Sequence, residues 1–241
     1  MQIVKPYAKL INFCDDGSIN PIVDFTKGNG INLLRKIEWC GRISHRSEDS
    51  QTDYSYDRFI RAVVLGHGDW SITEHASATV DFYVDRGITH EIVRHRLASY
   101  TQESTRFVNY EKKMPPSFIY PFNNHEYGEI KDDCIESTIG QCCWENVIET
   151  CEDAYKELIK NGIKPQIARS IFPNALASRL IATMNLRTWR HFFIMRTCKE
   201  AHPQMREVTI PLLKQFQECI PILYEDIIPE MRQVDAMRLV R

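Results

Sequence analysis

Two hydrophobic rhythms alternate along this chain. Leu33, Leu34, Ile37 and Cys40 recur at helical spacing and predict a helix over residues 31–40. Phe59, Ile60, Val63 and Val64 predict another over 54–65. Residues 76–84 read Ala-Ser-Ala-Thr-Val-Asp-Phe-Tyr-Val, an apolar, strand-like run. Residues 2–13 alternate more loosely and predict an edge strand. A turn at Asp15-Asp16-Gly17-Ser18 follows, and residues 19–25 lead into the first helix. Residues 66–75 form a loop whose glycines permit sharp bends. It brings Ser71, Thr73, Glu74 and His75 to the start of the strand. After that strand, residues 85–88 turn the chain into a short helix over 89–95.

The second half mixes the rhythms again. Residues 114–128 are rich in Pro, Asn and aromatics and predict irregular structure with a short edge strand at 118–120. Asp133 and Glu136 stand at capping-box spacing and open a long helix to Lys160. Its apolar stripe is Trp144, Val147, Ile148, Cys151, Ala154, Tyr155, Leu158 and Ile159, and Asn161-Gly162 end it. A short helix begins near Pro165 and a strand spans 177–184. Then comes a helix with Trp189, Phe192, Phe193 and Met195 inward and Arg190, His191 and Arg196 on its other faces. Pro203 opens a last long helix to Cys219, with a kink expected at Pro211.

With 241 residues, 43% hydrophobic and 26% charged, the chain can bury a sizeable core. It shows no repeat, low-complexity run or linker, so residues 1–241 are expected to form one domain. A formal net charge of −2 argues against a general nucleic-acid binder, whose footprint is clearly basic. The eight cysteines show neither C-x-x-C nor zinc-like spacing, and residues 1–15 lack a signal-like apolar core. Reduced thiols in a cytoplasmic protein are expected. No stretch reaches the roughly 18 apolar residues of a membrane span, and no membrane partner is expected.

The chemistry concentrates in Arg94-His95-Arg96-Leu97-Ala98-Ser99-Tyr100-Thr101-Gln102-Glu103-Ser104-Thr105-Arg106. Guanidinium groups bind phosphate through paired hydrogen bonds and stay charged at physiological pH, so the segment is suited to clamp a phosphate or nucleotide. A solvated, salt-bridged loop is the plain alternative. An RNA-binding module, using Arg94, Arg96 and Arg106 with Tyr100 and Phe107 for stacking, is a second possibility. A metal-dependent phosphohydrolase using His90, Glu91 and His95 is a third. The zinc spacing H-E-x-x-H fails here, because Arg94 stands where the second His belongs, and no metal site is expected.

Arg94-His95-Arg96, seven residues, then Ser104 is the signature of the flavin-dependent thymidylate synthases, and Gln102 and Arg106 also match. Ser71-x-x-Glu74-His75, Glu91, Ala168-Arg169, Asn185-x-Arg187, His191 and Arg196 follow in the family's order. The resemblance covers roughly residues 60–110 and 164–210. It implies an α+β fold with helices packed on a mostly antiparallel sheet, assembled as a homotetramer with shared sites. The implied reaction is reductive methylation of dUMP to dTMP, with FAD reduced by NADPH and 5,10-methylenetetrahydrofolate as carbon donor.

By the same resemblance, Ser71, Arg94, His95, Arg96, Leu97, Gln102, Asn185, Leu186, Arg187 and His191 would contact the flavin. The dUMP set would be Glu91, Ile92, Val93, Arg94, Gln102, Glu103, Ser104, Thr105, Arg106, Arg169 and Arg196. Arg106 and Arg169 suit the 5′-phosphate, and Arg196, a permanent cation, suits the uracil ring as it gains negative charge. Ser104 as a nucleophile lacks an evident base, so positioning dUMP is its expected role. One departure is Gly68-Asp69-Trp70-Ser71, where members often carry Gly-His-x-Ser. His67 is out of register, and Asp69 is expected to face solvent. Without the resemblance, Arg187 and Arg190 read as a solvated helix face, His75 equally as a structural histidine, and Trp70, Trp144 and Trp189 as packing residues.

Overall fold

The computed structural model describes residues 1–13, 30–112, 114–121 and 135–240. The expected turn at Asp15 to Ser18, the lead at 19–25 and Asp133 of the capping box lie outside them. The elements are β1 (Gln2–Val4), β2 (Tyr7–Phe13), α1 (Gly30–Ile43), α2 (Ser55–Ile60), β3 (Ser77–Asp85), α3 (Arg86–Ile92), β4 (Ala98–Gln102) and β5 (Ser117–Ile119). They continue with α4 (Ile135–Lys160), α5 (Pro165–Ala168), β6 (Ala177–Asn185), α6 (Leu186–Arg196), α7 (Pro203–Cys219), α8 (Pro221–Tyr224) and α9 (Gln233–Ala236). The class is α+β, helices with a mostly antiparallel sheet. The four-stranded sheet has the order β2-β3-β6-β4, and β1 pairs in parallel with β5, Gln2 opposite Ser117.

Several boundaries differ from the sequence pattern for local reasons. The opening strand breaks in two at Lys5-Pro6, where proline has no N–H for a ladder. The helix expected over 54–65 is α-helical only to Ile60 and then π-helical over Arg61–Gly66. The loop before β3 tightens into a 3-10 helix, Trp70–His75, after Gly68 at φ +85°. Helix α3 starts three residues early because the Asp85 carboxylate accepts the Ile88 N–H at 2.8 Å, an N-cap. It stops at Ile92, so Arg94 and His95 lie beyond it. Residues 98–102, expected as loop, form β4. Polar Ser99 and Thr101 occupy its exposed positions, which is how an alternating strand hides in a polar sequence.

By proximity the chain falls into two compact units of three segments each. The first comprises Met1–Tyr7, Phe82–Arg94 and Thr101–Leu180. Its core is Tyr110, Phe118, Ile148, Tyr155, Ala168 and Leu176, with Phe172 stacked on Tyr155 at 4.6 Å between centroids. Along α4, Trp144, Ile148, Tyr155, Leu158 and Ile159 pack on this core, whereas Val147 is 57% exposed. The apolar stripe is therefore narrower than the residue types imply. Gly162, at φ +81°, ends this helix as expected.

The second unit comprises Ala8–Asp81, His95–Tyr100 and Ile181–Arg241. Its centre is an aromatic nest of Phe13, Trp189, Phe192, Phe193, Phe216 and Tyr224, all buried. Each such side chain contributes about 2–3 kcal/mol by leaving water. Helix α6 contributes three of the six and is the pivot of this core. Arg190 on the same helix is buried, not solvated. It pairs with Asp226, donates to the Leu223 carbonyl at 2.7 Å and to the Leu239 carbonyl at 3.2 Å, and lies over Trp70 at 4.5 Å. A buried guanidinium is tolerable because carboxylate, carbonyls and an aromatic face replace its water. No helix among the described residues is long and apolar enough to cross a membrane. The six cysteines among them are free thiols.

Candidate functional site

In the first unit several of the expected nucleotide residues lie at the end of β4 and in the turn that follows it. The Gln102 amide donates to the Thr89 hydroxyl at 3.0 Å and the Ser178 hydroxyl at 3.2 Å, fixing the last residue of the strand. The Glu103 N–H donates to the Arg179 carbonyl at 2.8 Å, and the Tyr110 hydroxyl donates to the Glu103 carboxylate at 2.9 Å. Burial and that carboxylate raise the Tyr110 phenol well above its usual range, so it stays a donor. The chain then turns sharply. The Ser104 carbonyl accepts N–H groups from Phe107 and Val108, and its hydroxyl accepts the Arg106 N–H at 3.4 Å.

Within this turn Thr105 is buried, and Arg169 donates to its hydroxyl at 2.7 Å. That bond leaves the Thr105 proton for another acceptor. Arg169 sits at the junction of α5 and a 3-10 turn, Arg169–Ile171, set by Pro165. Arg94 and Arg106 are exposed, and none of Arg94, Arg106 and Arg169 forms an ion pair among the described residues. Arg106 lies over the Phe107 ring at 5.5 Å, and that ring is itself 75% exposed. The result is a set of cations without carboxylate partners among the described residues, of which Arg169 is tied to a hydroxyl group. Ser104 has no base hydrogen-bonded to its hydroxyl among the described residues. Ile92 is buried and frames α3, while Glu91 is half-buried and Val93 exposed.

In the second unit a different arrangement forms around α6. Asn185 caps the helix, its side-chain oxygen accepting the Thr188 N–H at 2.8 Å. Leu186 is buried, with its N–H on the Ala76 carbonyl and its carbonyl accepting from the Tyr224 hydroxyl. It supports the helix start from within the core. The exposed Arg187 pairs with Glu74 at 2.6 Å. Ser71 is exposed on the 3-10 helix that the buried Trp70 anchors, and Asp69 faces solvent.

At the other end of α6, the Arg196 Nε–H donates to His95 Nε2 at 3.0 Å. The His95 ring meets Phe192 edge to face at 4.9 Å and His191 at 5.9 Å. Burial first, then Arg196 and His191, push its pKa down to about 4, so the imidazole is neutral at physiological pH. Burial and Arg196 lower His191 as well. Two hydroxyls tie the backbone here: Tyr100 donates to the His95 carbonyl at 2.7 Å, and Thr209 of α7 to the Arg196 carbonyl at 2.8 Å. Burial pushes the Tyr100 phenol up to about 12, against the opposing pull of Arg196. Arg96 and Leu97 are exposed, Leu97 at 78%, and Arg96 forms no ion pair among the described residues.

Sequence reasoning missed Thr89, Tyr110 and Ser178 in the first unit, and Tyr100 and Thr209 in the second, as supports. A lone hydroxyl carries no sequence signal of its partner. Only Tyr100, inside the Arg-rich segment, had a neighbourhood that invited attention.

Similarity to known proteins narrows the class. The fold is shared with a solved UMP/dUMP methylase, PolB from Streptomyces cacaoi, determined with 5-Br dUMP bound. The TM-score is 0.69 at 21% identity, covering 93% of this chain and 96% of that one. The family described as thymidylate synthase complementing protein matches residues 31–222. A flavin-dependent thymidylate synthase from Pyrococcus furiosus is 34% identical over 204 residues, 81% of this chain and 77% of that protein. Another from Mycobacteroides abscessus is 31% identical over 201 residues, 79% and 78% of the two chains. The chain belongs to the flavin-dependent thymidylate synthase family.

Proposed function

We propose that this protein is a methyltransferase that converts dUMP to dTMP by reductive methylation, with 5,10-methylenetetrahydrofolate as carbon donor. The observation that carries the reading, beside family membership, is the polar turn of residues 102–106. There Arg106 and Arg169 lack carboxylate partners among the described residues and stand with the Ser104 and Thr105 hydroxyls. This donor set suits a dianionic 5′-phosphate. The side chains of the second set fit a flavin. Arg96 is a cation without an ion pair among the described residues, and the Asn185 cap uses only its oxygen, leaving the amide N–H groups. His191 adds an exposed ring. Ser71, His95, Arg96, Asn185, Arg187 and His191 would hold FAD. Arg187 would trade its pairing with Glu74 for that contact.

The hydride chemistry is that of FAD when it is bound, with NADPH as its reductant. The chain's own residues bind and polarise. Arg94, Arg106 and Arg169 hold the nucleotide, and Ser104 and Thr105 donate hydroxyl protons to its phosphate. Arg196 stabilises negative charge on the uracil as N3 ionises and C5 becomes nucleophilic, a preorganised electrostatic role. Ser104 positions and does not attack. The reading includes a single domain over 1–241, a homotetramer with shared sites and a cytoplasmic location. The phosphohydrolase alternative is disfavoured: His95 Nε2 already accepts from Arg196, and no group of three or more metal-binding side chains is assembled among the described residues.

Purified protein should be yellow, or become so with added FAD. NADPH should bleach the flavin band, and dUMP should yield dTMP in the presence of methylenetetrahydrofolate. A protein that takes up no FAD, or that takes it up and leaves dUMP unchanged, overturns the reading. Sedimentation at the mass of one chain would remove the tetramer from it.

A further inference from the structure

Arg196 is met by an unusual partner. Its Nε–H points at an imidazole nitrogen, His95 Nε2, at 3.0 Å. A nitrogen that accepts carries no proton, so the His95 proton sits on Nδ1. The ring cannot easily swing away, since Phe192 packs at 4.9 Å and His191 at 5.9 Å. Both ends of the pair are anchored through their backbones, by Tyr100 on the His95 carbonyl and Thr209 on the Arg196 carbonyl. A carboxylate at this position would hold the guanidinium more strongly but cancel its field. A neutral acceptor fixes direction and adds no opposing charge of its own.

Resting on the reading of Arg196 as the cation that polarises uracil, we propose that His95 is its positioning residue: a neutral imidazole, protonated on Nδ1, that accepts the Arg196 Nε–H and sets the plane of the guanidinium. His95 thereby acts on the nucleotide through Arg196, in addition to any contact it makes with the flavin. Glutamine, whose amide oxygen can reach a similar place, should substitute in part. Alanine should not.

Two measurements on the full chain test this. In the first, nitrogen-15 spectra of histidine-labelled protein should show His95 protonated at Nδ1 and bare at Nε2, and a proton on Nε2 overturns the proposal. The second is a double-mutant cycle read as turnover per bound flavin at saturating dUMP. His95→Ala should lose about a hundredfold, the scale of a misaligned catalytic group. His95→Gln should recover most of that loss, and His95→Ala should cost nothing further in an Arg196→Lys background. Equal losses in the two His95 variants, or a loss that multiplies with Arg196→Lys, overturn the positioning role while the reading of Arg196 stands. Full turnover in Arg196→Lys alone removes that reading, and the proposal with it.

Discussion

Beside the turn of residues 102–106 an arginine is tied to a hydroxyl group, whereas at the end of α6 an arginine stands against an imidazole. Arg169 donates to Thr105, and Arg106 reaches outward over Phe107. Arg196 is oriented by His95 and carried by a helix whose other face is the aromatic core. The first arrangement suits capture of a full negative charge, for which mobile cations and neutral donors suffice. The second suits stabilising charge that develops only during reaction, for which a fixed direction matters more than reach. One residue type is prepared for two tasks by what surrounds it.

The two arrangements should part most visibly at Arg196. Arg196→Lys should fold and keep its flavin yet lose about a hundred- to a thousandfold in turnover, the range for removing a preorganised donor. Near-normal turnover would place the polarising group elsewhere. Arg106→Ala should instead weaken dUMP binding by about tenfold to a hundredfold, the worth of a charge-assisted hydrogen bond, with turnover at saturating dUMP little changed. Titration calorimetry with dUMP checks this, and an unchanged affinity would remove Arg106 from the phosphate.

A third test uses pH. His95 drops from 6.5 when unfolded to about 4 in the fold, and His191 is lowered too. Between those values the unfolded chain binds more protons, so stability should fall as pH drops from 6.5 towards 4 and be unaffected by these groups above 6.5. Urea melts across that window should show a shallower dependence in His95→Gln. An identical dependence would mean that His95 is not held neutral. The turn of 102–106 contains no imidazole and should not share this behaviour.

The smallest effects lie in the supports. Tyr110→Phe removes the bond to Glu103 and should cost about 1 kcal/mol in denaturant melts. Asp85→Ala and Asn185→Ala each remove a helix cap and should cost about 1 kcal/mol. Asn185→Ala should additionally weaken flavin retention, which Asp85→Ala should not.

Much of the frame was legible because it rests on periodicity. Helix α7 runs from Pro203 to Cys219 as the spacing predicts, and α1 and β6 are close to their predicted spans. Where the sequence misled, a local cap, a hidden alternation or a distant partner decided. Asp85 moved the start of α3, and an edge-like alternation of polar residues concealed β4. Arg190 reads as solvated by type, but Asp226 lies 36 residues away, beyond any local pattern. The proposed site residues were recognisable as a family signature. Their supports were not, since the Thr209 partner of Arg196 and the Tyr110 partner of Glu103 become visible only once the helices and turns have packed.

The buried Arg190 also imposes an order in time. Residues leave the ribosome at about 5–20 per second. Asp226 and the Leu239 carbonyl follow Arg190 by 36 and 49 positions. For several seconds of synthesis, therefore, the helix that carries His191 and Arg196 lacks the carboxylate for its buried charge. The part of the protein assigned the polarising chemistry is locked only after residues 226–239 have been made, well after the helix itself.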